Sequence, residues 1–159
     1  MPIAARGGVR KPKPRFVVTA APSKSARKTI RDGLIAYNRE QAGRPPPWKA
    51  LAVLLKDGRG RVIGGALGHS FWGWAYIELL WLPAEQRGKG HGSKLMKLAE
   101  AEARKRGCVG MVLNTASFQA PGFYPKLGFT VYAQIDDFPP GHKNFYLMKR
   151  LDPPHAKGG

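Results

Sequence analysis

The chain has 159 residues, 43% of them hydrophobic and 16 aromatic, which is the size of one ordinary domain with a buried core and too apolar for wholesale disorder. No apolar run reaches the roughly 18–20 residues that span a bilayer, and Cys108, the single cysteine, excludes an intrachain disulfide and reads as a plain buried thiol, so the expectation is a soluble, cytoplasmic protein without a membrane partner. The net charge of +17 is unevenly spread: residues 1–31 hold nine Lys/Arg and no acid, and the rest of the chain carries only +8.

Residues 1–14, with three prolines, two glycines and no apolar periodicity, read as a basic disordered tail. They lack the hydrophobic centre of a secretory signal. Residues 15–20 (R-F-V-V-T-A) are a short apolar run expected to form a first strand. Ser23 suits the N-cap of a helix carrying Ala26, Ile30, Leu34 and Tyr37 at helical spacing and ending before Gly43. Pro45, Pro46 and Pro47 make a stiff connector. Residues 49–56 and 61–67 flank Asp57-Gly58-Arg59-Gly60, a turn signal that predicts an antiparallel hairpin. Residues 74–82 are nearly continuously apolar and read as a central strand buried on both faces.

A glycine-rich basic turn follows. Gly88, Gly90 and Gly92 let the backbone approach a ligand without a Cβ in the way. The next helix, read from Ser93, buries Leu95, Met96, Ala99 and Ala103, sets Glu100/Arg104 and Glu102/Arg106 at i,i+4 on its other face, and ends at Gly107. Residues 111–114 are the next strand, parallel to 74–82 through the crossover. A short helix is expected between Ser117 and Gly128, disturbed by Pro125. Residues 129–135 and 144–149 form a last strand pair joined by the loop 136–143. The expected domain is 15–151, flanked by tails at 1–14 and 152–159.

The N–H groups of a helix's first turn lack intrahelical partners, and with Arg87, Lys89 and Lys94 nearby the turn favours a phosphate or pyrophosphate. A Walker loop is excluded, because no Ser or Thr follows Gly88-Lys89. A dinucleotide fingerprint is excluded as well, because the third glycine is one place early and no acid occurs between Glu102 and Asp136.

Arg87-Gly88-Lys89-Gly90-His91-Gly92 resembles the R-x-x-G-x-G/A signature of the GNAT superfamily of N-acetyltransferases. A second block, Ala120-Pro121-Gly122-Phe123-Tyr124-Pro125-Lys126-Leu127-Gly128-Phe129, resembles the superfamily's N-x-x-A-x-x-F-Y-x-x-x-G-F segment, with Ser117 where the family has asparagine. The resemblance implies an α/β fold of the single-domain acyl-coenzyme A N-acyltransferase type, a mixed central sheet of six to seven strands with helices on both faces. It also implies acetyl-coenzyme A (acetyl-CoA) as co-substrate, its pyrophosphate on Arg87, Gly88, Lys89, Gly90, His91, Gly92, Ser93 and Lys94. Its pantetheine arm would lie along the backbone of Leu80, Trp81 and Leu82, where the strand splays from its parallel neighbour.

Acetyl transfer needs a neutral amine, and an alkylamine of pKa about 10.4 is neutral in only a few molecules per ten thousand at pH 7, a deficit of roughly 4–5 kcal/mol. Glu78, a lone carboxylate in an apolar strand whose dry setting would favour the protonated acid, is the candidate base. Tyr124 matches the tyrosine that protonates the leaving thiolate in many family members. Asp136, Asp137 and His142 stand in a loop that borders the acceptor pocket in the superfamily; the paired acids would attract a cationic amine, and His142 is an alternative base near neutral pH. No metal is expected, since His69, His91 and His155 lack ligand partners.

The reading is therefore an N-acetyltransferase acting on a primary amine of a small molecule in a ternary complex. Its rivals are acetylation of a protein N-terminus or lysine, with the ribosome as one setting, and a basic nucleic-acid-binding module without chemistry. Nucleic-acid contact through the tail is not favoured, and oligomeric state is left open, a homodimer included.

Overall fold

The computed structural model describes residues 13–151; almost all of the expected basic tail, and all of 152–159, lie outside them. Between Gly43 and Arg44 the chain divides into two compact units. The first contains helix α1 (Lys24–Ala42), formed as its caps predict: Ser23 Oγ accepts the Ala26 N–H at 3.1 Å, and Gly43, at φ 72°, donates its N–H to Arg39 O. The strand expected at 15–20 does not form. Phe16 and Val18 are fully exposed and the segment is unpaired, because β-branched propensity makes a strand only where a neighbour completes the ladder.

The second unit is built on a mixed sheet of six strands: β1 (Lys49–Lys56), β2 (Val62–Phe71), β3 (Trp74–Trp81), β4 (Gly110–Ala116), β5 (Thr130–Asp136) and β6 (Lys143–Arg150), in the order β1-β2-β3-β4-β6-β5. Only β3 and β4 run parallel, joined through helix α2 (His91–Lys105). The β1–β2 hairpin is pinned as its turn predicts. Asp57 accepts from the backbone N–H groups of Arg59 and Arg61 at 2.9 Å and from Arg61 Nε at 2.7 Å, and those bonds hold its carboxyl below the usual range.

β3 departs from expectation in an informative way. Leu67 pairs with Leu79 and Gly68 with Ile77, so Glu78 is an extra residue, a β-bulge. Alternation inverts there: Ala75 and Ile77 are buried before it, while Leu80 packs on the core after it. The strand is not buried on both faces, since Leu79 is 62% and Trp81 59% exposed. Gly68, opposite the bulge, has no room for a side chain, because a Cβ would meet the Tyr76 carbonyl oxygen.

α2 lies across β1–β4 on one face, where Met96, Ala99 and Ala103 join the core cluster of Ile77, Met111 and Leu113, and Leu95 is buried as well. It begins two residues earlier than Ser93, with Gly90 as N-cap. Both i,i+4 pairs form, and Lys149 of β6 reaches Glu100 at 2.6 Å and the Leu127 carbonyl at 2.8 Å. Burial pushes the Glu100 carboxyl up, but the bonds from Lys149 and Arg104 outweigh it and hold the group below the usual range. A depressed carboxylate contributes stability that is present above its unfolded pKa and lost as pH falls through the folded value. Glu100→Gln should therefore destabilise the fold by about 1 kcal/mol at pH 7, a figure kept small because the pair is partly solvated. The gap to wild type should close below about pH 4, as urea unfolding at the two pH values will show.

No α-helix forms between Ser117 and Gly128. Only a 3₁₀ turn at Pro125–Leu127 is present, ended by Gly128 at φ 88°. Pro125 has no N–H to give to a carbonyl one turn back, and Ser117 is committed elsewhere, its N–H on the Lys143 carbonyl and its Oγ accepting the Lys143 N–H.

Candidate active site

Beyond Ile77, paired with Leu113, β3 and β4 share no further ladder residues, although β3 continues to Trp81 and β4 to Ala116. The two parallel strands thus part at the bulge. Bent away by the extra residue, β3 leaves backbone donors and acceptors along Glu78, Leu79, Leu80 and Trp81 that β4 does not use, a wedge between the two strands that overlaps the run Leu80, Trp81 and Leu82.

The wedge leads into the glycine turn. After a 3₁₀ turn at Ala84–Gln86, Arg87 Nε donates to the Leu82 carbonyl at 2.9 Å and clamps the loop back onto the end of β3. Gly88 (φ 69°) and Gly90 (φ 80°) occupy the left-handed region, and a Cβ at either would point into open space. The first α2 bond runs from the Lys94 N–H to Gly90 O, so the amides of His91, Gly92 and Ser93 lie ahead of the helical ladder. Lys89 and Lys94 are exposed beside them. Gly92 is the tight position: a Cβ would stand 3.2 Å from Phe123 Cζ and 3.8 Å from Leu82 Cδ1. The end of β3, the start of α2 and the Phe123-Tyr124 segment therefore converge at one glycine.

Tyr124 is 8% exposed, with its ring edge-on to Phe123 and Phe129. Burial pushes its phenol above the ordinary value, so it stays protonated across the neutral range. Glu78 is not the dry, lone carboxylate the sequence suggests: its side chain is 55% exposed, and Oε1 is hydrogen-bonded to His69 Nδ1. No local pattern marks His69, because its partners are distant in the chain: Trp48 precedes β1, and Tyr76 and Glu78 lie on β3. The β2–β3 register sets it opposite Tyr76, and its ring is stacked between Trp48 and Tyr76 with centroids at 5.6 and 4.9 Å.

The loop residues are less gathered. Asp136 accepts from Gln134 Nε2 at 2.7 Å and lies 3.8 Å from Lys143 Nζ. Asp137, at φ 54°, accepts the Gly141 N–H at 3.2 Å and serves the turn. His142 is edge-on to Phe118 at 4.8 Å. Cys108 is buried, and burial pushes its thiol up, the behaviour of an inert core thiol. Among the described residues no group of His, Cys, Asp and Glu could hold a metal ion, and no helix is long and apolar enough to cross a membrane.

Residues 19–129 match the acetyltransferase (GNAT) family model. The chain is 43% identical to the blasticidin-S acetyltransferase of Streptomyces morookaense over 106 residues, 66% of this chain and 78% of that one. It is 36% identical to acetyltransferase Atu2258 of Agrobacterium fabrum over 136 residues, 86% of this chain and 98% of that one. A crystal structure of an acetyltransferase from Bacillus cereus superposes with a TM-score of 0.77 at 29% identity, covering 85% of this chain and 98% of the other.

Proposed function

The chain belongs to the acetyltransferase (GNAT) family, and on that premise we propose that it is a cytoplasmic enzyme that moves the acetyl group of acetyl-CoA to a primary amine of a small molecule by direct attack in a ternary complex. The parting of β3 from β4 above a glycine turn that opens α2 is the observation that carries this reading. Backbone donors ahead of the α2 ladder, with Lys89, Lys94 and the clamped Arg87, suit a pyrophosphate, and the unused edge of β3 suits the amide groups of a pantetheine arm. The co-substrate supplies an activated acyl group and a thiolate leaving group.

The chain's own residues supply the rest. A β3 amide near Leu82 polarises the carbonyl oxygen where negative charge develops. The buried Tyr124 hydroxyl delivers a proton to the departing sulfur. The amine loses its proton at the β3 bulge, where Glu78 sits. The small-molecule acceptor is supported by the relative named for acetylating blasticidin S.

The test is coenzyme A release from acetyl-CoA with blasticidin S, free lysine, spermidine, an aminoglycoside and N-terminal peptides as acceptors. Release with one or more of the small amines is expected, and deletion of residues 1–14 should leave it within about 2-fold, because the tail is far in sequence from every group named above. Release with peptides alone would replace this reading with a macromolecular acceptor.

A further inference from the structure

Glu78 and His69 come from adjacent strands, and the bulge joins them. Register sets His69 of β2 opposite Tyr76 of β3, on the sheet face turned away from Ala75 and Ile77 and so away from α2. Two residues on, Glu78 is the unpaired residue of the bulge, and its carboxylate reaches His69 Nδ1. Trp48 and Tyr76 cover the two faces of the imidazole, nearly parallel to it at 27° and 9°. With Trp48 and Tyr76 stacked on the ring and Nδ1 taken, Nε2 is the ring nitrogen left for another partner, and 18% of the side chain is exposed. Among residues 44–151 no group bonds Nε2.

This is how a histidine is prepared to take a proton. A carboxylate on Nδ1 fixes the tautomer in which Nδ1 carries the hydrogen and Nε2 the lone pair, and it stabilises the imidazolium that forms when Nε2 is protonated. The stack prevents the ring from turning over and exchanging its two nitrogens. Glu78 used alone would be a poorer acceptor, because its Oε1 is already engaged and the side chain is more than half exposed.

We propose that His69 Nε2 is the first recipient of the amine proton, and that Glu78 is its positioning residue and not the base itself. The inference rests on the acetyltransferase reading above. The balance closes within it: the amine nitrogen forms the bond to the acetyl carbon as the carbon–sulfur bond breaks, the nitrogen's proton passes to Nε2, and the sulfur takes the Tyr124 proton. His69 then returns its proton to solvent, from which Tyr124 is reprotonated. The location is consistent with that path, because the bulge that carries Glu78 is also where β3 leaves β4 and the wedge begins. From the strands flanking His69, the ionisable groups that face it are Glu78 and the Tyr76 phenol. Arg106, bound to the Lys49 carbonyl and Ser70 Oγ, lies on the opposite face.

Two measurements test this. First, nitrogen NMR of protein labelled in histidine, with the His69 signals identified by their loss in His69→Gln, reads the neutral ring directly. A proton on Nδ1 in wild type, and a mixture of tautomers in Glu78→Ala, is expected; a proton on Nε2 in wild type would overturn the inference whatever the acceptor. Second, the pH profile of kcat/KM is measured with the small amine that wild type turns over best. His69→Gln should lose about 100-fold and, with it, the fall in rate on the acid side, while acetyl-CoA binding by calorimetry is unchanged. Glu78→Gln should lose about 10-fold and keep an acid limb, and Glu78→Asp should recover part of that loss. A His69→Gln variant within about 3-fold of wild type overturns the assignment and leaves the acetyltransferase reading standing. Failure of wild type to turn over any small amine strikes the acceptor proposal instead, and the NMR result still decides this one.

Discussion

Gly92→Asp should abolish measurable acetyl-CoA binding, and Gly90→Asp should weaken it by at least about 100-fold, in calorimetric titration of the purified variants. The two substitutions act differently. At position 92 even a Cβ would press on Phe123 at 3.2 Å, so a carboxylate there displaces the segment that carries Tyr124 and fills the space in front of the α2 amides. Position 90 has room, and Asp tolerates its left-handed backbone better than most residues do, so the fold survives and the added charge is the main change. That charge takes the donors a pyrophosphate would use and repels it. Losing two charge-assisted hydrogen bonds worth roughly 1.5–3 kcal/mol each accounts for the expected loss. Gly90→Asn, similar in shape and uncharged, should retain most of the affinity. If Gly90→Asp binds as wild type does, the turn is not the pyrophosphate site.

Tyr124→Phe should lower kcat about 1000-fold and leave the KM for acetyl-CoA within about 2-fold. The phenol is buried, so removing its oxygen disturbs packing little and removes a hydroxyl set among Phe123 and Phe129. A phenol giving its proton to a thiolate runs uphill by about 2 kcal/mol from the ordinary pKa values, and burial raises the Tyr124 value further. The sulfur leaves as an anion in the same apolar surroundings, which raises its proton affinity too, so the transfer remains feasible. The same burial fixes the sign of a stability effect. A folded-state pKa above the unfolded value contributes nothing adverse below about pH 10 and costs stability as pH climbs beyond it. Wild type should thus lose stability above that pH more steeply than Tyr124→Phe does. An unchanged kcat in the variant would reduce Tyr124 to a packing residue.

The elements that were legible in the sequence are those whose signals are local. Ser23 and Gly43 cap α1, Asp57 closes the β1–β2 turn with its own carboxylate, and the Leu95, Met96, Ala99 and Ala103 stripe turns α2 onto the sheet. The glycines of residues 88–92 were legible for the same reason, since backbone conformation and helix termini act over a few residues. What escaped depends on partners distant in the chain. Phe16 to Val18 has strand composition but joins no ladder among the described residues. The burial of β3 could not be read from its apolar run, because one side of that run meets α2 and the other carries Leu79 and Trp81 into the open. The His69–Glu78 pair needed both the β2–β3 register and a bulge that no local residue pattern announces.

The bulge also makes β3 sensitive to counting as well as to chemistry. With Glu78 present, Ile77 and Leu80 both point into the core although they are three positions apart. Deleting the one residue would restore strict alternation with Leu79 still outward and Leu80 still inward, but would remove the kink and return the strand to the side of β4, closing the wedge. Changing Glu78 to another side chain alters a proton path; removing its place in the chain removes the slot. A library that scores substitutions at position 78 would miss this, whereas one that includes single-residue deletions along β3 should find that the loss of acetyl-CoA binding is sharpest there.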